Sequence, residues 1–286
     1  MKELVRILLR APALVLRAAG VTLPEKLFRH LHKQGPFKIK LPDRRGTLQL
    51  MSWGNRVENE LFWRGWRGHE PDVMQWWARL AIDAQVILDI GANTGSFAFI
   101  AKALNPSATV HAFEPLTRIS EKLRENCRVS GLDVSIFQFA VADEAGELPI
   151  HDPGGANVYS ASLDQNFLSG AKNSYLVPVT TVDAHCSALG LTPDLIKIDV
   201  EGIEGRLLIG ARETLMKGTA IILCEWTRSS DAHDAARVLL QEAGYAVLDP
   251  ETGQDVILGA GRDHDERNVL LCPIGRLEAL RVSGPL

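Results

Sequence analysis

Short apolar runs and stretches of helical spacing follow one another along most of this chain. Val86 to Leu88 reads as a buried strand. It ends in Asp89 and opens into Gly91-Ala92-Asn93-Thr94-Gly95, after which Phe97, Ile100, Ala101 and Leu104 fall on one side of a helix. Thr109 to Phe113 is a second strand, closed by Glu114-Pro115. A helix from Leu116 to Ser130 stops near Gly131, and Val134 to Val141 is a third strand. Glu147 to Ile150 and Leu176 to Val179 read as a hairpin-like insertion around a Gly-, Asn- and Ser-rich loop, His151 to Asn173. Asp183 is expected to cap a short helix ending near Gly190. Leu195 to Ile198 is a further buried strand, and Ala220 to Cys224 a fifth, ending at Glu225-Trp226. Asp231 to Ala243 is a helix stopped by Gly244. Tyr245 to Leu248 and Asn268 to Leu271 are the last strands, expected to pair antiparallel at the sheet edge.

Strands that alternate with helices predict an α/β fold with a mostly parallel sheet. Upstream, Phe37 to Leu41 and Thr47 to Met51 are two short strands about the turn Pro42 to Gly46. Asp72 to Ala84 is a helix with Pro71 in its first turn, and Trp76 and Trp77 are expected in the core. Residues 1–20 carry Arg6, Arg10 and Arg17 on one helical face, interrupted at Pro12. Two readings stay open for them: a helix packed on the domain, or one lying on a membrane surface.

At 286 residues the chain holds one large α/β domain with extensions. Residues 1–54 are read as a basic extension, 55–275 as the main domain and 276–286 as a tail. Eleven lysines and arginines against three acids give the first 50 residues a charge of about +8, and leave about −12 for the rest. Nothing in the acidic remainder suggests a nucleic-acid groove. The four cysteines are far apart and form no C-x-x-C, which reads as free thiols in a reducing, cytoplasmic setting. No apolar run reaches the roughly 18 residues of a membrane span.

The strand–glycine turn–helix unit at residues 86–104 is how an open α/β sheet holds a nucleotide-like ligand. Asn93 breaks the G-x-G-x-x-G spacing of dinucleotide folds, and no Gly-Lys-Ser/Thr supports a P-loop. Glu114, at the end of the next strand and about 20 residues past the glycines, is placed to accept two ribose hydroxyls. Glu70, with His69 beside it, stands just before a helix. The strand Ile196-Lys197-Ile198 delivers Asp199 at its carboxyl end, with Glu201 and Glu204 following on neighbouring faces of a helix start. Lys197 could pair with one of these acids and hold it charged.

The spellings D-I-G-A-N-T-G and K-I-D-V-E-G-x-E resemble the FkbM family of S-adenosylmethionine-dependent methyltransferases. Three stretches, 88–95, 111–115 and 196–204, match in order, and the likeness covers roughly residues 55–275. It implies a Rossmann-like class I methyltransferase with a seven-stranded, doubly wound, mostly parallel sheet and an antiparallel edge strand. It implies S-adenosylmethionine at Asp89, Gly91, Ala92, Asn93, Thr94, Gly95, Glu114, Pro115, Val141 and Asp143, the last two beside the adenine. Class analogy puts Asp199 on the methionine amino group. Glu201, Glu204, Lys197 and Glu70 become the catalytic candidates, and His69, Asn157, Ser162 and Glu225 the substrate contacts.

The sulfonium is already activated, so a hydroxyl acceptor needs positioning and a base, for which Asp199, Glu201, Glu204, Glu70 and His69 are the candidates, with Glu201 and Glu204 favoured. Asp199 and Glu225 end adjacent strands, where some catechol-type methyltransferases hold magnesium. No third ligand is evident, so a divalent metal is the second reading and no metal ligand is assigned. The resemblance implies O-methylation of a hydroxyl on a sugar, glycan or related natural product. The alternatives are a dinucleotide-dependent enzyme and a catalytically silent binding protein of the same fold.

Overall fold

The apolar runs become strands of one seven-stranded sheet. A computed structural model describes residues 11–19, 21, 23–154, 161–164, 173–227, 230–258 and 267–286. The strands are β1 (Gly35–Lys40), β2 (Thr47–Ser52), β3 (Val86–Ile90), β4 (Thr109–Phe113), β5 (Ser135–Phe137) and β6 (Ala140–Val141). Then come β7 (Gly146–Asp152), β8 (Asn173–Thr180), β9 (Leu195–Ile198), β10 (Ile221–Trp226), β11 (Tyr245–Leu248) and β12 (Arg267–Pro273). The helices that matter below are α1 (Arg56–Arg64), α2 (Pro71–Ala81), α3 (Ser96–Leu104), α4 (Thr117–Ser130) and α5 (Val182–Leu189), followed by α6 (Glu204–Ile209), α7 (Arg212–Lys217) and α8 (Asp231–Glu242).

The sheet order is β11-β12-β10-β9-β3-β4-β5. β9, β3, β4, β5 and β10 are parallel, while β12 is antiparallel to both of its neighbours. The antiparallel strand therefore lies one place in from the edge, and the edge strand β11 runs with the parallel set. Successive strands step away from β3 on one side and from β9 on the other. That reversal opens a crevice at their carboxyl ends, where ligands of open α/β sheets bind.

Alternation along the strands sends side chains to two cores. Ile87, Val110 and Leu195 pack with α2, α3 and the β1–β2 hairpin; Leu88, Ile196 and Ile198 pack with α5, α6 and α8. Trp76 and Trp77 are buried, Trp77 completely, with its indole N–H on the Phe97 carbonyl. A sheet buried on both faces explains why its strands read as continuous apolar runs.

Two sequence expectations need correction. The stretch from Val134 to Val141 is two strands, not one. Gln138 and Phe139 carry the chain out of the main sheet, so that β6 joins a separate sheet of order β6-β8-β7. Asp183 does not cap its own helix. Thr181 caps α5, and the Asp183 carboxylate accepts from the Glu213 and Thr214 amides at the start of α7.

Residues 11–18 are helical, and Arg17 stacks on the Phe62 ring, 4.0 Å away, while donating to the Phe62 carbonyl. Leu14, Val15 and Leu16 face outward. No helix among the described residues is long and apolar enough to cross a membrane.

His111 and His185 form a buried pair, Nδ1 to Nε2 2.9 Å, packed against Phe113 and Phe137. Burial, reinforced by His111, pushes His185 down to about 4. The unfolded chain takes up this proton near the ordinary histidine value of about 6.5. Stability is therefore lost as pH falls from about 6.5 towards about 4. His185→Asn should lose less stability than the unaltered protein between pH 7 and 4.5 in urea titrations. Parallel losses would show that His185 titrates normally in the fold.

Candidate active site

The crevice begins where β3 ends. Gly91 has φ +81°, and a Cβ there would sit 1.8 Å from the Asp199 carbonyl oxygen. Glycine is required because the β3 loop passes directly against the chain leaving β9. The Gly91 and Ala92 amides donate to the Phe113 carbonyl, which holds the turn against β4. Asn93 sits in the left-handed region at φ 52° and donates its amide to Glu114 Oε2 at 3.2 Å. Leu116 donates to Glu114 Oε1 at 3.0 Å. Burial pushes Glu114 up to about 7, against these two amide donors.

A cavity above this turn is lined by Gly91, Asn93, Glu114, Pro115, Val141, Asp199 and Glu201, with Phe113 and Phe139 as its aromatic wall. The Asn93 side-chain oxygen is buried without a partner. A glycine-backed cradle, an unsatisfied acceptor and a carboxylate fit the cofactor that the resemblance implies. Other expected contacts do not line this cavity. Asp89 is buried and accepts from the Ala98 amide at 2.8 Å, in the first turn of α3. Ala92 and Thr94 are buried in the turn, and a Cβ on Gly95 would strike Phe99 and Leu123. Asp143 is paired with Arg206 at 2.7 Å.

A second, larger cavity of about 660 Å³ opens beside the first. His69, Glu70, Asn93, Asp199, Glu201 and Glu225 line it, with Arg56, Glu60 and Asn268. Behind it lies Lys197, only 1 % exposed. Its Nζ is 3.6 Å from Asp199 Oδ2, 3.7 Å from Glu70 Oε2 and 5.0 Å from the Phe97 ring centroid, and makes no hydrogen bond. Burial alone would strip its proton, but Glu70, Asp199, Glu225 and Asp89 outweigh that and hold it charged. Glu225 is pushed up to about 10, first by the adjacent Asp199 charge and then by burial. It is therefore protonated at neutral pH and donates to Asp199. Burial opposes the Asp199 charge, yet Lys197 and Glu225 together hold it below the usual carboxylate range. Among the described residues no three metal-binding side chains converge.

The structure separates the two glutamates expected side by side. Glu201 lies in the loop before α6 with φ 57°, and its carbonyl accepts from the Ser162 hydroxyl. Ser162 thus holds the loop and lines neither cavity. Glu204 is a correction. It is fully buried at the start of α6, accepting from Thr227 Oγ1 at 2.6 Å and the Gly202 amide at 2.8 Å, with His233 Nε2 at 3.2 Å. Its oxygens are committed to structure and face neither cavity. Asn157 lies outside the described residues.

Sequence reading missed Glu60 and Asn268. Glu60 reads as one more polar residue of a surface helix, and Asn268 as a strand residue; only the fold brings them to the wall of the larger cavity, Glu60 against His69.

Lys197→Met removes the cation and leaves its buried acids facing one another. Breaking a buried ion pair on one side costs about 3–5 kcal/mol. Urea unfolding should show a loss of that size; a loss under about 1 kcal/mol would mean that the acids simply take up protons.

The FkbM methyltransferase domain family matches residues 89–247. The 2-O-methyltransferase NoeI of Sinorhizobium fredii is 35 % identical over 156 residues, 50 % of this chain and 63 % of that protein. The 31-O-demethyl-FK506 methyltransferase FkbM of Streptomyces tacrolimicus is 45 % identical over 64 residues, 21 % of this chain and 24 % of that protein. This chain thus spans less than two thirds of the length of either relative. A solved FkbM methyltransferase from Methylobacillus flagellatus is 15 % identical, covering 66 % of this chain and 44 % of that one with a TM-score of 0.42. The family match runs from Asp89, at the end of β3, to Val247 in β11. It takes in more than half of the chain, and the chain belongs to the FkbM methyltransferase family.

Proposed function

We propose that this protein transfers the methyl group of S-adenosylmethionine to a hydroxyl oxygen of a sugar, glycan or related natural product. One observation carries the reading: the two cavities share Asn93, Asp199 and Glu201. A cofactor seated over the β3 turn would present its reactive end at that junction, and an acceptor in the larger cleft would meet it there. When bound, the cofactor supplies a methyl group on a positively charged sulfur. Glu114 offers two carboxylate oxygens for ribose hydroxyls, and the Val141 segment with Phe139 flanks the base. Asp199, held ionised by Lys197 and Glu225, is placed for the methionine ammonium. Glu70 and Glu201 stand on the acceptor side.

Oxygen as the target is supported by the two relatives, whose names both specify O-methylation. A hydroxyl-rich acceptor suits a cleft walled by Glu60, Glu70, Arg56, Arg64, Asn55 and Asn268. The Asp199–Glu225 pair keeps a magnesium arm worth including in any acceptor screen. Residues 55–275 are the proposed catalytic domain, and 1–54 an extension whose hairpin shares its core. The free thiols of Cys127, Cys186, Cys224 and Cys272 support a reducing, cytoplasmic setting. The outward Leu14, Val15 and Leu16 support contact of the first segment with a membrane surface.

Calorimetric titration with S-adenosylmethionine, its demethylated product and NAD should show binding of the first two alone. Glu114→Ala should weaken that binding about 10- to 100-fold, the worth of a charged hydrogen-bonding partner. Because Glu114 accepts hydroxyls best as a carboxylate and titrates at about 7, affinity should rise with pH through that value. Glu114→Gln should flatten the rise. Binding of NAD alone would sink the reading.

A further inference from the structure

Glu60 is a buried acid on α1, and its carboxyl oxygens serve two different partners. Arg56 Nε donates to Oε1 at 2.8 Å, and His69 Nδ1 stands 2.8 Å from Oε2. Burial opposes the charge of Glu60, but the hydrogen bonds from His69 and Arg56 outweigh it and hold this carboxyl below its usual range. A carboxylate only accepts, so the ring proton of a neutral His69 must be on Nδ1, leaving the Nε2 lone pair free.

The contact is built in. The 65–70 loop returns against α1 so closely that a Cβ on Gly68 would sit 2.2 Å from the Glu60 carbonyl oxygen. Glu70, at φ 42°, then turns the chain into α2. His69 is thereby presented to the acceptor cleft, with Nε2 3.6 Å from Glu70 Oε1. It lines the larger cavity together with Asn93, Asp199 and Glu201, the three residues that the two cavities share.

We infer that His69 Nε2 is the base that takes the proton of the acceptor hydroxyl, and that Glu60 is the positioning residue that fixes its tautomer. The inference rests on the methyl-transfer reading above. As the acceptor oxygen bonds to the methyl carbon, the carbon–sulfur bond breaks and its electron pair stays on sulfur, which becomes neutral. The hydroxyl proton moves to Nε2, where Glu60 lies on one side of the imidazolium and Glu70 on the other. The neighbouring acids are poorer choices. Glu225 already holds a proton, and Asp199 is held ionised by Lys197 and Glu225. Glu70 faces the Lys197 ammonium. Glu201 also lines both cavities and is the rival.

The test reads tautomer, cofactor binding and turnover on the full chain. Imidazole nitrogen NMR of the unaltered protein should show His69 with a protonated Nδ1 and a pyridine-like Nε2. In Glu60→Gln the amide must give its one oxygen to Arg56 and turn its NH2 on Nδ1, so the ring proton should move to Nε2. Binding of S-adenosylmethionine by calorimetry should be unchanged in Glu60→Gln and His69→Gln, since neither residue lines the cofactor cavity. Transfer of labelled methyl to a panel of methyl glycosides should fall about 100-fold or more in kcat for His69→Gln. It should fall about 10-fold for Glu60→Gln, with the acceptor KM little changed in either. An Nε2-protonated ring in the unaltered protein would overturn the assignment. So would a kcat within about twofold in His69→Gln while Glu201→Gln collapses. Absence of cofactor binding by the unaltered protein would instead remove the methyl-transfer reading, and this proposal with it.

Discussion

One buried ammonium ties this site together. Lys197 points inward from the central strand β9, surrounded by acids that come from β3, β9, β10 and the residue before α2. In water each such pair would contribute little. Out of water, the cation and its carboxylates depend on one another, because removing either strands the rest. The arrangement sets three charge states at once: Lys197 stays positive, Asp199 stays negative, and Glu225 keeps a proton. It also fixes where Glu70 stands, and with Glu70 the loop that carries His69. A surplus of negative charge remains at the cleft, which favours a cationic cofactor over an anionic dinucleotide.

Much of this was legible in the sequence, for a definite reason. The buried strands appear as apolar runs because both faces of the sheet are covered. The changeover at Asp89 to Gly95 marks the first crossover, and Lys197 between Ile196 and Ile198 marks a charge inside a core strand. Such signals are local. What failed was non-local. The split of β5 from β6 depends on a pairing with β8 some 40 residues later, which leaves no mark at Gln138 and Phe139. Asp183 caps α7 rather than its own helix because Thr181 had already taken that place. Glu204 looks like a twin of Glu201 by spacing, but the turn at Gly202 puts one in the cleft and the other in the core against His233 and Thr227. Glu60 could not be singled out at all, since its meaning lies in a residue nine positions on, and in the space left by Gly68.

The backbone carries its own record of the site. Among the described residues, five non-glycine positions have left-handed φ: Asp43, Arg44, Glu70, Asn93 and Glu201. The first two belong to the surface turn between β1 and β2. The other three all line the larger cavity, and two of them, Asn93 and Glu201, line the smaller one as well. Each such conformation costs about 1–3 kcal/mol and persists only where the surroundings over-determine it. Those surroundings can be named. Gly91 passes against Asp199 and holds the Asn93 turn, Ser162 grips the Glu201 carbonyl, and Gly68 with Pro71 brackets Glu70. Three strained residues on three separate loops, all lining one cavity, are hard to account for as three accidents of folding. The arrangement fits a site that must hold several polar side chains at fixed distances before any ligand arrives, which is what an in-line transfer between two bound molecules demands of a protein.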